Sequence, residues 1–153
     1  MSVYSNLFIE IQKAIFPSYG ASYTSQNIIS KGDPDSARIH SYLILLLEIV
    51  SYEYRKQHAT IFEPLRGDKA LKHLLFTRYQ VSLRELETNP LEWIVFALLK
   101  DLVPENLPQK AQNYVNSLKL NKDASGIDWN LKINWILGSG EQTLKKADES
   151  QEN

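Results

Sequence analysis

The chain contains no cysteine. That absence excludes a disulfide framework, a thiolate metal site and a cysteine nucleophile together, and it fits a reducing compartment. Long apolar runs are also missing. The run Tyr42–Leu47 stops at Glu48, and Trp93–Leu99 stops at Lys100; a bilayer span needs about 20 apolar residues in a row. The opening stretch, MSVYSNLFIEIQKAIF, has no basic region ahead of its apolar residues, and Glu10 and Lys13 interrupt them. It does not read as a signal peptide. A cytoplasmic protein with no membrane contact is the expectation.

Glycine is sparse, at 6 of 153 residues. Gly138 and Gly140 form a GxG, but no further glycine follows and no helical pattern is read there, so no phosphate-binding loop is expected. Histidine is rarer still. None of His40, His58 and His73 has an acidic residue or a second histidine at helical ligand spacing. There is no HExxH, no ExxH and no GxSxG. Neither metal nor cofactor is expected, and an enzyme is disfavoured.

What the chain does contain is helical periodicity. Its length of 153 residues indicates one domain with enough chain to bury a core. Tyr4, Leu7, Phe8, Ile11 and Ile15 recur at helical spacing, and Pro17 and Gly20 end that helix near Phe16. Residues 17–33 read as a long loop, either a surface connector packed by Tyr19, Tyr23 and Ile28 or a functional segment. Asp33-Pro34 starts a second helix over 34–58, with the cap and the first-turn proline in their favoured places. Asp68 is the expected cap of a third helix carrying Leu71, Leu74, Leu75 and Tyr79 on its apolar face, with Lys69, Lys72 and His73 opposite. VSLRELE either continues that helix or forms a separate turn.

Asn89-Pro90, with Glu92 behind it, starts a fourth helix over 90–102. That segment is apolar nearly all round, so it is expected to be buried on several sides. A fifth helix covers 106–120. In residues 127–137, Ile127, Trp129, Leu131, Ile133 and Trp135 alternate as a strand would, yet Trp129, Ile133, Ile136 and Leu137 also share a helical face. A short helix is favoured because no partner strand is evident. The expectation is one all-α domain over 1–138, of five to seven helices, centred on two buried helices at 34–58 and 90–102. Leu43, Leu46, Leu47, Val50, Trp93, Phe96 and Leu99 are its expected core. Residues 139–153 read as a polar, disordered tail.

Two features bear on function. Glu48 sits within the most apolar stretch of the chain, where a carboxylate is costly unless paired or protonated. It reads as a general acid or base only as a third choice, behind a solvated position or a pairing with a basic or tyrosine side chain. Charge is also segregated: residues 55–84 carry seven basic and two acidic side chains in a chain of net charge −1. Arg55, Lys56, Arg66, Lys69 and Lys72 are therefore the candidate partner-binding residues, facing an acidic surface. For Arg55 and Lys56, the competing reading is the favourable end of a helix dipole.

The favoured function is a non-enzymatic one, binding another protein; aromatic and arginine side chains are the usual interface anchors. In general character such a chain is similar to small bacterial immunity proteins, adaptors and chaperones, a likeness of type that transfers no site. The alternative is a helical accessory protein holding nucleic acid through segment 55–84. It is disfavoured by the pI near 6.3, by the interrupted helix tandem, and by the expectation that Tyr79 is buried.

Overall fold

Helix α2, Pro34–His58, is the longest element and packs against the first, third and last helices of the chain. It buries Leu43–Ile49 without a break, so little polar surface remains through its middle. A computed structural model describes residues 2–23, 34–88, 90–120 and 126–149. Within them lie seven α-helices and two 3-10 helices, and no strand. Asp33 and Asn89, the expected caps of two helices, fall outside the described residues, as does most of the expected loop 17–33.

Helix α1, Val3–Ile15, is capped by Ser2, whose Oγ accepts from the Ser5 amide at 3.1 Å. Leu7, Phe8, Ile11 and Ile15 form its buried face against α2. A 3-10 turn over Phe16–Tyr19 ends at Gly20, whose φ of 71° supplies the left-handed residue that closes the turn. Helix α3, Lys69–Tyr79, buries Ala70, Leu71, Leu74 and Leu75. Asp68 stands at its N-cap, but its carboxylate makes no capping bond and pairs with Lys72 instead, at 3.1 Å. Gln80, with φ 53°, stops α3. VSLRELE therefore forms a separate helix, α4, Leu83–Thr88. Ser82 and Glu85 begin it with a reciprocal capping box, both bonds 3.2 Å.

Helix α5, Leu91–Ala97, corrects the expectation of a second buried centre at 90–102: it contains no buried residue. Leu91, Ile94, Val95 and Ala97 rest half-buried on the core, while Trp93, Phe96 and Leu99 are 59%, 68% and 58% exposed. The apolar character on all sides is real, but only one side has a partner. Of the expected core, Leu43, Leu46 and Leu47 are buried and Val50 is half-buried against them. A 3-10 turn, Pro104–Asn106, leads into α6, Gln109–Ser117, which is shorter than the 106–120 expected.

Residues 127–137 are neither helix nor strand. The alternation is nevertheless used. Ile127, Leu131, Ile133, Trp135 and Leu137 are half-buried against the core, while the even-numbered residues between them are exposed. After a turn at 128–131, closed by the Leu131 amide on the Asp128 carbonyl and leaving Trp129 exposed, the segment lays alternate side chains on the helices. The Ser18 hydroxyl donates to the Lys132 carbonyl, and the Tyr19 hydroxyl accepts from the Asp128 amide.

The expectation of a disordered tail from 139 is also corrected over its first part. Helix α7, Glu141–Glu149, packs on α1 and α2 and buries Leu144 and Ala147.

Candidate functional site

Glu48 is 2% exposed and lies opposite the loop that enters α7. Its Oε1 accepts from the Trp135 indole N–H and the Gly138 amide, both at 2.8 Å, and its Oε2 from the Gly140 amide at 3.1 Å. The partners are thus an indole and two backbone amides, not the basic or tyrosine side chain expected, and no solvated strip is involved. Burial pushes the carboxyl above its ordinary value, while these donors and the nearby Arg55 pull it back. The GxG read in the sequence does cradle an anion, and that anion is the chain's own carboxylate at the start of α7. Gly138 is required by contact, and Gly140 is closely packed against side chains. A Cβ on Gly138, whose φ is 95°, would stand 2.4 Å from the Gly67 backbone; one on Gly140 would stand 3.0 Å from Glu48 Oε2.

The five basic residues do not form one surface. Arg55 is 5% exposed, which corrects its place in a partner-facing patch. Its Nε donates to the Leu65 carbonyl at 2.7 Å, its Nη2 donates to the Gly67 carbonyl at 3.0 Å, and its Nη1 faces Glu141 at 3.8 Å. A side chain from the last turn of α2 thereby ties down the loop before α3. Lys56 pairs with Glu53 at 2.9 Å and with Asp148 of α7 at 3.1 Å. Lys69 pairs with Glu63 at 3.2 Å, and Lys72 with Asp68. Arg66 is exposed. Only Lys69 and Lys72 border a common feature.

That feature is a groove of about 340 Å³ between α3 and α4. Lys69, Lys72, His73 and Phe76 line it from successive turns of α3, and Leu83 and Leu86 line it from α4. Phe76 and Leu83 are 44% and 67% exposed. Helix α3 also packs on α5, where Trp93 and Phe96 meet edge to face with ring centres 5.8 Å apart. The loop before α3 presents Ile61 and Phe62, both at least 90% exposed. Phe62 and Phe76 are also the aromatic residues that a nucleic-acid reading of segment 55–84 would use for stacking, whereas the exposure of Trp93 and Phe96 escaped sequence reasoning because their spacing is that of core residues. The one available signal was an apolar pattern on both faces of a helix as short as α5.

Among the described residues, no cluster of three histidine or acidic side chains is placed to hold a metal ion, and no helix is long and apolar enough to cross a membrane. No known family model matches the chain, and no characterised protein or solved structure matches it.

Proposed function

We propose that the protein works without catalysis, by binding another protein through the apolar side built by α3, α4 and α5. The observation that carries this reading is the exposed aromatic pair Trp93–Phe96 on a helix whose opposite face rests on the core. Large apolar patches on a soluble domain mark interaction sites, and aromatic anchors dominate their energetics. The α3–α4 groove adds a concave, largely apolar receptor on the helix that also packs on α5. An immunity, adaptor or chaperone role fits such a surface.

Lys69 and Lys72 at the groove rim can meet acidic residues of a partner, but Glu63 and Glu87 line the same groove, so the apolar contact leads in this reading. Each lysine is already paired within the chain, so the electrostatic contribution is an exchange of partners and is weakly salt dependent. The nucleic-acid reading gains one point, because Tyr79 is 41% exposed rather than buried. It loses more, because at least five of the seven cations of segment 55–84 are held by groups of the chain itself. Glu48 is sealed by in-chain donors, which supports a structural rather than catalytic part for it.

Affinity capture from a lysate of the source cells, with and without nuclease, tests the reading. A protein captured by the wild type, retained after nuclease and lost with Trp93→Ala/Phe96→Ala is the expected result. Capture that needs nucleic acid, or that survives the double substitution, would overturn it.

A further inference from the structure

The loop between α2 and α3 carries two apolar side chains at its tip, Ile61 and Phe62, which are 93% and 90% exposed. The backbone that presents them is held on both sides. The Thr60 hydroxyl accepts from the Phe62 and Glu63 amides, both at 3.2 Å, and the Thr60 amide donates to the Glu63 carbonyl at 3.0 Å. A Glu63 carboxylate oxygen accepts from the Leu65 amide at 2.9 Å. Leu65 takes φ 54°, a left-handed conformation that is costly for leucine, and Arg55 holds its carbonyl. The tip is therefore offered in one shape, and little backbone freedom is left to lose on binding.

The α3–α4 groove lies beside that tip, because Glu63 and Leu65 both line it. Its apolar lining is Leu65, Phe76, Leu83 and Leu86; Ile61 and Phe62 are not part of it, so the tip is not seated in the groove of its own chain. One chain thus carries an apolar knob and an apolar receptor next to each other. Their sizes agree. A cavity of about 150 Å³ already admits benzene, so a groove of about 340 Å³ has room for the Phe62 ring together with Ile61. Charge agrees as well. The described residues that line the groove include two lysines, Lys69 and Lys72, and two glutamates, Glu63 and Glu87. Such a surface meets its own copy without uniform repulsion, and lysine can be set against glutamate.

We propose that two copies of this chain pair about a twofold axis, with the Ile61–Phe62 tip of each seated in the α3–α4 groove of the other. A tip and a groove on one side of the same chain are what an isologous contact uses. The axis brings both tips to both grooves at once, and the assembly closes at two. Phe62 is the anchor, as the larger and aromatic member of the tip. Trp93 and Phe96 take no part, so the pairing leaves α5 open to another protein, and the two readings fail separately.

Sedimentation equilibrium of the full chain over a concentration series tests this. The wild type is expected to be a monomer–dimer mixture with a dissociation constant in the micromolar range, as a small interface gives. Phe62→Ala and Leu83→Glu should each weaken pairing by at least about a hundredfold, since each change acts twice across the axis. Both positions are mostly in water, so the fold should survive, and circular dichroism checks that. Mixing the two variants separates knob-in-groove exchange from general apolar adhesion. Phe62→Ala keeps its groove and Leu83→Glu keeps its tip, so one of the two contacts re-forms. The mixture should pair about tenfold more tightly than either variant alone. Trp93→Ala/Phe96→Ala should pair as the wild type does. A wild type still monomeric at roughly 0.5 mM, assembly beyond a dimer, no recovery on mixing, or loss of pairing in Trp93→Ala/Phe96→Ala would each overturn the proposal.

Discussion

Glu48 faces three N–H donors and no acceptor, so its ionised form matches its surroundings in number and direction. Glu48→Gln keeps the shape but turns an N–H₂ donor toward at least one of those N–H groups. A loss of about 1–3 kcal/mol is expected, read from urea unfolding; an unchanged midpoint would mean the loop does not rely on the carboxylate. His40 gives a prediction in pH. Its folded-state value is lowered by burial, so below about pH 6.5 the unfolded chain takes up a proton that the folded chain resists. The stability His40 contributes is therefore complete above that pH and is lost as pH falls toward the folded value. His40→Gln is expected to flatten the fall in stability between about pH 7 and pH 5, and an identical slope in the variant would refute the assignment. The apolar run around Glu48 marked it as anomalous in sequence. Its partners did not show, because Trp135, Gly138 and Gly140 are 87, 90 and 92 residues away.

Helices α2 and α7 mark the two limits of reading an element from its sequence. In α2 the apolar face is long and begins with a proline, so its extent, 34–58, is legible. In α7 the stripe is only Leu144 and Ala147 amid charged residues, and polarity conceals it. Leu144 is 2% exposed, so Leu144→Ala is expected to cost about 2–5 kcal/mol, as Leu47→Ala should in α2. A thermal midpoint unaffected by Leu144→Ala would restore the reading of a solvated tail. Helix α5 errs in the other direction. Phe96→Ala should alter stability by no more than about 0.5 kcal/mol, because the side chain is mostly in water already. Segment 127–137 obeys its period of two from Leu131 on without a partner strand, since the helices below accept one face and single hydrogen bonds hold its backbone.

Taken as one molecule, the charge segregation of the chain is largely answered from within. Arg55 and Lys56 of the basic middle meet Glu141 and Asp148 of the acidic C-terminal part, and Arg78 meets Asp101. Asp148 also accepts from the Tyr52 hydroxyl at 2.8 Å, so it joins α7 to α2 twice. Asp148→Lys should destabilise by about 1–2 kcal/mol, and by less at high salt, where repulsion from Lys56 is screened. Equal loss at low and high salt would leave only the Tyr52 bond as the cause.

The all-helical class, the course of α1 and α2, the turn at Gly20 and the lack, among the described residues, of a helix long and apolar enough to cross a membrane were all legible from residues within a few positions of one another. They depend on apolar period, capping and backbone sterics, which act locally. The pairing of Arg55 with loop carbonyls, the cradle around Glu48, the docking of α7 and the open face of α5 arose only on folding. An amphipathic pattern states that a face is apolar; whether another element arrives to cover it depends on chain topology, through contacts between residues far apart in sequence.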